Sequence, residues 1–225
     1  VIQRGLSAAS SIFSLLDEPG EVDCGEKTLP RAIERIEFDN VRFAYAQASE
    51  NRPSDNQEVT ESAVDGGRFD VEAGQPIALV GKSGSGKTTL VSLLPRFYDC
   101  TEGEIRINGS ALTDYSLQSL RHQIAVVSQK VVLFSGSILD NIAYGAAEPV
   151  DRDAVIEAAR NAHALEFIDQ LPQGIDTQIG DDAGMLSGGQ RQRIAIARAL
   201  FDDAPIIVLD KATSAFDSES ELHIH

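Results

Sequence analysis

The chain has few cysteines and no long apolar run, and each shortage excludes a class of protein. Cys24 and Cys100 are far apart among the 225 residues and have no cysteine or histidine neighbours at metal-ligand spacing. The pattern therefore predicts neither a disulfide framework nor a cysteine-based metal site, and it fits a reducing compartment. No apolar run approaches the roughly 18 residues that a membrane-spanning helix requires.

Basic residues are also scarce. There are 19 Lys and Arg against 35 Asp and Glu, which gives a formal net charge of −16. A polyanion repels nucleic acid at long range, so the composition argues against a DNA or RNA partner, although a local basic patch stays possible. The 42% hydrophobic and 24% charged fractions are those of a globular chain with one sizeable core.

The order of apolar patterns predicts an α/β fold. Residues 1–16 have helical spacing, residues 20–32 form a polar linker, and residues 46–68 are expected to be a surface loop or a poorly ordered hairpin. Strands and helices then alternate, which favours a mainly parallel sheet, with a helical subdomain over about 137–185. Strands are predicted at 36–45 (with a turn or bulge at Asp39–Asn40), 77–80, 104–107, 124–127 and 206–209, and helices at 87–94, 116–123 and 187–200.

The most specific motif is the run from Gly81 to Thr88, which reads GKSGSGKT and fits G-x-x-x-x-G-K-[ST]. Its backbone amides must curl around phosphate oxygens, and Gly84 and Gly86 permit that curl. The N-terminus of the following helix adds partial positive charge. Lys87 is expected to reach the β- and γ-phosphates of a nucleotide, and the Thr88 hydroxyl can ligate Mg²⁺.

Two further motifs complete the pattern. Leu186–Gln190 reads LSGGQ at a predicted helix start, where Ser187 is a good N-cap and small residues leave the amides open to an anion. It is a second candidate phosphate site with no lysine of its own. Asp210 ends an apolar strand, where a carboxylate can hold Mg²⁺ directly or through water.

With these three motifs in this order, the chain resembles the ATP-binding cassette (ABC) ATPases. The resemblance implies a phosphate-loop NTPase with a RecA-like core, a mainly parallel sheet, an antiparallel β edge and an inserted helical subdomain. In that family two cassettes pair head to tail, and each signature sequence covers the ATP held by the other's phosphate loop. The resemblance implies Mg-ATP as cofactor. The implied partners are a second cassette in a homodimer and the transmembrane domains of an exporter, with no nucleic acid.

The resemblance also implies a role for each matching residue. Gln129 is where the family places a glutamine that senses Mg²⁺, the attacking water and the transmembrane partner. Tyr45 is where it places an aromatic ring that stacks on adenine, the alternative being an ordinary edge-strand tyrosine. The implied nucleotide-binding residues are Tyr45, Gly81, Lys82, Ser83, Gly84, Ser85, Gly86, Lys87, Thr88 and Thr89, with Ser187, Gly188, Gly189 and Gln190 acting in trans; the metal ligands are Thr88, Gln129 and Asp210; and the catalytic positions are Lys87, Gln129 and Lys211.

Other segments resemble the export branch of the family, and the resemblance is strongest to the bacterial exporters of lipid A. These segments are Phe134–Ile142, Leu120–Arg121 and Thr177–Asp181. Ser7–Pro19 resembles the segment that joins the last membrane helix to the cassette. The resemblance implies ATP-driven lipid transport at the cytoplasmic face of the bacterial inner membrane. It also implies that residues 1–32 are a helix and linker from a transmembrane domain, and that residues 33–225 are an ABC domain without its C-terminal end.

The chain departs from the family pattern at several positions. Lys211 occupies the position of the glutamate that polarises the attacking water, and a protonated lysine has no acceptor for this task. Ser214–Asp217 resembles the family's S-A-L-D loop with Phe216 for leucine. His223 and His225 lie too close to it to carry the role of the switch histidine. Residues 53–68 form an acidic segment longer than the family's loop, and Lys130 replaces a residue that is often acidic.

Four functions fit parts of this pattern. The first is a transporter motor, and the second is an ATP-binding clamp with impaired catalysis, which Lys211 favours. The third is a DNA-repair or chromosome-structure ATPase, but the roughly one hundred residues between the phosphate loop and the signature leave no room for its coiled-coil insertion. The fourth, a phosphate-loop kinase, leaves Leu186–Gln190 unexplained. The sequence therefore favours an exporter cassette of uncertain catalytic competence.

Overall fold

The computed structural model describes residues 9–10, 12–14, 16–17, 20–45, 62–146, 149–180 and 186–210. Its largest sheet is antiparallel, with strand order β2-β1-β3-β4; these strands are β1 (Arg35–Ala44), β2 (Ser62–Glu72), β3 (Glu102–Ile107) and β4 (Ser110–Ala111). The pairing register of β1 shifts between Phe38 and Val41, and Asn40 has a positive φ of 49°. The predicted irregularity at Asp39–Asn40 is confirmed as a bulge, which keeps both Phe38 and Val41 buried.

A separate parallel pair carries part of the candidate site. Strand β5 (Ile124–Val127) pairs in parallel with β8 (Ile206–Leu209), and Val127 lies opposite Leu209. Both strands have the bounds predicted from the sequence. Helix α1 (Lys87–Leu93) precedes β3, and a 3₁₀ turn at Leu112–Asp114 leads into α2 (Leu117–Arg121). The chain is thus a mixed α/β protein with parallel and antiparallel sheets, as predicted, although the expected mainly parallel sheet is represented among the described residues by the β5–β8 pair alone.

The rest of the described chain is mainly helical. It comprises β6 (Gly136–Ser137), α3 (Ile138–Ile142), α4 (Arg152–Asn161), α5 (Leu165–Ile168), a 3₁₀ turn at Gly174–Asp176, β7 (Gln178–Ile179) and α6 (Gly188–Phe201). Helix α6 packs against α3 and α4, and their apolar side chains form one core cluster. A second cluster joins the antiparallel sheet to α1 and to the inner face of β8. Among the described helices, none is both long enough and apolar enough to cross a membrane.

Two predictions about the region before the phosphate loop were wrong. Ser62–Glu72 is an 11-residue strand paired antiparallel with β1, although residues 46–68 were expected to be a surface loop or a poorly ordered hairpin. Among the described strands it lies at the edge of the sheet and pairs only with β1, which explains why its sequence is polar and glycine-containing. Conversely, residues 75–80 are assigned to no strand, and Val80 is 90% exposed. An apolar run becomes a buried strand only when a neighbouring strand pairs with it, and within the described residues 75–80 take part in no sheet.

The N-terminal segment was predicted as a helix followed by a linker. Its described residues at 9–10, 12–14 and 16 are helical, and Ile12, Phe13 and Leu16 are exposed. The polar linker, in contrast, is hydrogen-bonded to the rest of the described fold. Lys27 forms a parallel β-bridge with Tyr115, and the Leu29 amide donates to the Ser119 hydroxyl at 2.6 Å.

A single apolar side chain anchors the linker. Leu29 is 2% exposed and belongs to the cluster under the antiparallel sheet, whereas Val22, also in the linker, is 68% exposed. We expect Leu29→Ala to lower the free energy of unfolding by about 2–4 kcal/mol, because it removes buried methyl groups and leaves a cavity. The matched change Val22→Ala should alter it by less than about 0.5 kcal/mol. Urea denaturation measures both, and equal effects would show that the linker is not part of the fold.

Candidate functional site: a phosphate loop facing a buried-strand carboxylate

The phosphate loop depends on two glycines with left-handed backbone conformations. Gly84 has a φ of 82° and Gly86 a φ of 80°, which confirms the predicted need for residues without a side chain. A Cβ at Gly86 would lie 2.0 Å from the Ala63 carbonyl oxygen in β2, while one at Gly84 would meet nothing within 4 Å. The loop therefore passes directly over the backbone of β2, and Gly86 makes that approach possible.

The Lys87 ammonium group lies against the loop itself. Its Nζ donates to the carbonyl oxygens of Gly81 and Lys82, each at 2.9 Å, and to the Ser85 hydroxyl at 3.1 Å. The charge is thus held beside the backbone amides of the loop and the N-terminus of α1. The loop amides and the helix N-terminus favour an anion, because unpaired backbone amides carry partial positive charge. The arrangement can bind a polyphosphate.

A carboxylate faces the start of this helix. The Thr88 hydroxyl donates to Asp210 Oδ1 at 3.0 Å, and the Asp210 amide donates to the Val127 carbonyl at 2.9 Å, which extends the β5–β8 pairing by one residue. A hydroxyl and a carboxylate oxygen at this separation are hard oxygen donors of the kind that Mg²⁺ prefers. In the described part of the chain, no group of three or more His, Cys, Asp and Glu could hold a metal alone.

Gln129 emerges at the same edge of the sheet. It follows β5, whose last residue Val127 lies opposite Leu209, so the chain after β5 and the chain after β8 leave the sheet side by side. Gln129 is exposed and therefore accessible to a ligand at this edge. The parallel pairing brings together two of the predicted metal ligands, Gln129 and Asp210, although more than eighty residues separate them in sequence.

Tyr45 belongs to an aromatic cluster beside the phosphate loop. Its hydroxyl lies 3.0 Å from the Thr89 hydroxyl in the first turn of α1, and its ring meets those of Phe43 and Tyr98 edge to face at 4.9 and 5.3 Å. The ring is 44% exposed, so a planar ligand can reach it. Sequence reasoning did not identify Tyr98, because its part in the cluster depends on the turn that follows α1.

The signature segment lies on another helix. The Ser187 hydroxyl accepts from the Gln190 amide at 3.2 Å, and Gln190 Oε1 accepts from the Ser187 amide at 2.8 Å, so the predicted N-cap is confirmed as a full capping box. Nothing lies within 4 Å of a Cβ built at Gly188. The start of α6 is therefore ordered and open. Its packing on α3 and α4 places it in the helical part of the chain rather than beside the phosphate loop.

Some predicted positions cannot be placed. Lys211, the Ser214–Asp217 segment, His223 and His225 lie outside the described residues. The structure therefore brings together Lys87, Thr88, Asp210 and the Gln129 loop, with Tyr45 tied to Thr89. The predicted catalytic position at residue 211 is known only from its place in the sequence, directly after Asp210.

An aromatic cluster that follows Gln129 in the chain was not among the predicted site residues. The rings of Phe134 and Tyr144 are stacked at 4.3 Å, and the Arg198 guanidinium lies 5.8 and 5.6 Å from their centres. Burial lowers the pKa of Arg198, which also donates to the Asn141 carbonyl at 2.8 Å. Burial raises the pKa of Asp202. The side chains of Val132, Phe134 and Tyr144 are exposed. We call these three side chains the aromatic face, after the two stacked rings.

A phosphate loop opening a helix, with a carboxylate of a neighbouring parallel strand against its threonine, defines a phosphate-loop nucleotide-binding domain. Comparison with known proteins narrows this class. The family model described as "ABC transporter" matches residues 64–214. The chain belongs to the ABC transporter family.

Individual relatives cover almost all of this chain. It is 51% identical over 222 residues to the "ATP-dependent lipid A-core flippase" of Idiomarina loihiensis and 53% identical over 223 residues to that of Coxiella burnetii. Each comparison includes 99% of this chain but 36% of the relative. A solved structure titled "Structure of a bacterial Atm1-family ABC exporter with ATP bound" is similar with a TM-score of 0.83 and 39% identity, covering 99% of this chain and 37% of that one.

The two glycines of the loop allow a paired prediction. Alanine at Gly86 must accommodate both the positive φ and the Ala63 carbonyl, so we expect Gly86→Ala to lower the free energy of unfolding by about 2–3 kcal/mol or more. Gly84→Ala faces only the positive φ and should cost about 1 kcal/mol. Thermal and urea unfolding measure the difference. Equal costs would mean that the loop does not pass as close to β2 as described.

Proposed function

We propose that this chain is the nucleotide-binding domain of an ABC exporter, which binds Mg-ATP and uses it to drive lipid transport. The Thr88–Asp210 hydrogen bond beside the Lys87-bearing loop is the observation that carries the proposal, since it joins a phosphate site to a metal ligand. The two flippases to which the chain is similar, and the exporter structure titled with ATP bound, support the same function.

The residues of this chain divide the task of binding. The loop amides and Lys87 hold the phosphates, with Lys87 exchanging its carbonyl acceptors for phosphate oxygens. Thr88, Asp210 and Gln129 would hold Mg²⁺, which when bound neutralises phosphate charge. Tyr45 supplies a ring for the base, fixed by Thr89 and two neighbouring aromatic side chains. The residues Lys82, Ser83 and Ser85 contribute backbone amides to the same loop.

The second half of the nucleotide site comes from a partner cassette. Ser187, Gly188, Gly189 and Gln190 begin a capped, open helix whose N-terminus favours anions, and no lysine accompanies it. In a head-to-tail dimer these residues would cover the ATP on the partner's phosphate loop. A homodimer is the simplest such assembly, since one chain carries both halves.

Force would pass to transmembrane domains through the loop after β5. Gln129 lies in that loop, and the aromatic face follows it in the chain. The Arg198 guanidinium of α6 packs against the Phe134 ring and donates to the Asn141 carbonyl. An exposed aromatic pair of this kind suits a protein partner. We infer that the domain works at the cytoplasmic face of a bacterial inner membrane, because the similar lipid A-core flippases come from bacteria and are named for a membrane lipid.

A second candidate function is an ATP-binding clamp with impaired hydrolysis. Lys211 follows Asp210 directly, and a protonated lysine cannot accept the proton of an attacking water. Nearby phosphates would stabilise the ammonium form further, so deprotonation would not restore a base. Binding depends on other residues and would survive.

The two functions are separated by measuring binding and turnover in the chain and in Lys211→Glu. We expect both proteins to bind Mg-ATP, with affinity falling when EDTA removes the metal, and only Lys211→Glu to hydrolyse it, faster by about 10²–10⁴. The oligomeric state is recorded in parallel. Turnover by the unmodified chain that Lys211→Glu does not raise would contradict the clamp, and failure of the unmodified chain to bind would contradict both functions.

The base-binding role of Tyr45 is tested separately. Tyr45→Leu removes the ring and should weaken ATP binding about tenfold, since base stacking contributes about 1–3 kcal/mol. Tyr45→Phe keeps the ring but loses the contact with Thr89 and should change the affinity less than about threefold. Inorganic triphosphate, which has no base, is the control ligand and should bind all three proteins equally. ATP binding by Tyr45→Leu at the original affinity would overturn the role.

A further inference from the structure

The linker makes its strongest polar contact with the end of α2. Glu21 and Arg121 form two parallel hydrogen bonds, from Nη1 to Oε2 at 2.7 Å and from Nη2 to Oε1 at 2.6 Å. This fork-to-fork geometry fixes orientation as well as distance. The guanidinium lowers the pKa of the Glu21 carboxyl by hydrogen bonding, and the carboxylate raises the pKa of Arg121.

The same guanidinium also holds the end of the phosphate-loop helix. Arg121 Nε donates to the Pro95 carbonyl at 3.0 Å, and Nη2 donates to the Arg96 carbonyl at 2.9 Å. Both acceptors directly follow α1, which begins at the loop residue Lys87. The guanidinium also lies 5.6 Å from the centre of the Phe97 ring. Arg121 therefore contacts the linker and α1 with one rigid group.

The backbone that Arg121 holds is strained. Arg96 has a positive φ of 53°, a left-handed conformation that is unfavourable for a residue with a side chain. Such a residue persists when its surroundings fix it. The bond from Arg121 to the Arg96 carbonyl is one such restraint, and the bond from Arg96 Nε to Asp99 at 2.9 Å is another. Loss of the first restraint would loosen the last turn of α1.

We propose that Glu21 and Arg121 are positioning residues that couple the linker to the phosphate-loop helix, so that the docked linker sets the affinity of the loop for nucleotide. This inference rests on the proposed nucleotide-binding function. The linker follows the N-terminal helical segment. A displacement of that segment would therefore shift the end of α1 through Arg121, without involving Gln129 or the aromatic face. The coupling uses a single rigid side chain rather than a long network.

Amide hydrogen exchange and binding of Mg²⁺ with a hydrolysis-resistant ATP analogue test the coupling. Glu21→Gln removes the charge of an exposed side chain and should leave the fold intact. We expect faster exchange at the amides of Leu94, Arg96 and Phe97, which close the end of α1, and a Kd raised about two- to fivefold, as for the loss of an exposed ion pair. Faster exchange confined to the linker, with an unchanged Kd, would overturn the proposal.

The chain offers a matched control. Arg152 and Asp176 form an equally bidentate exposed pair, at 2.8 and 2.5 Å, between α4 and the following 3₁₀ turn. Asp176→Asn therefore removes a comparable interaction far from the linker and α1. It should alter neither the exchange of the Leu94, Arg96 and Phe97 amides nor the Kd. An equal effect of Asp176→Asn would show that general destabilisation, rather than the linker contact, explains the result, and would also overturn the proposal.

A double-mutant cycle isolates the route through Arg121. Arg121→Lys keeps a positive charge near Glu21, but a single ammonium cannot hold both the carboxylate and the two carbonyls. If Glu21 acts through Arg121, adding Glu21→Gln to Arg121→Lys should change the Kd no further. Additive effects would contradict the route. Failure of the unmodified chain to bind nucleotide would instead overturn the proposed function. In that case amide exchange at Leu94, Arg96 and Phe97 would still report on the coupling.

Discussion

The hydrogen bond between Thr88 and Asp210 is the contact on which the candidate site depends. It joins positions 122 residues apart, one at the start of α1 and the other at the end of β8. Neither group has a fixed place without its own element: the loop glycines orient α1, and the register of β8 on β5 fixes where Asp210 emerges. The same register brings the chain after β5 to this edge, so the site is a product of the strand pairing.

How well the sequence predicts each part depends on how local its causes are. The bounds of β5 and β8 were predicted, and so was the cap of α6, because an apolar run between polar residues and a serine before two glycines act over a few residues. The loop conformation at Gly84 and Gly86 follows from the motif for the same reason. These features need no knowledge of distant contacts.

The errors fall where a distant partner decides the outcome. Strand β2 has a polar, glycine-containing sequence that resembles a loop, and it is ordered by pairing along β1. The apolar residues 77–80 have a strand-like sequence without strand pairing. The linker is a third case: its composition is that of a free connection, but Leu29, Lys27 and Glu21 all bind positions about 90 to 100 residues away. Composition alone cannot reveal such partners.

The placement of charge supports the proposal that an acidic chain binds a polyanion. The protein has five lysines against a net charge of −16, and four of them, Lys82, Lys87, Lys130 and Lys211, lie within the phosphate loop or directly after Gln129 or Asp210. Because salt screens exposed charges beyond about 8–10 Å, a bound phosphate responds mainly to its immediate neighbours. The proposed binding would therefore depend mainly on the lysines nearest the phosphates. Hydrolysis needs a group that accepts a proton, which none of these lysines supplies while charged. Phosphate binding and proton acceptance thus need chemically different groups, so the capacity to hold a nucleotide does not imply the capacity to cleave it.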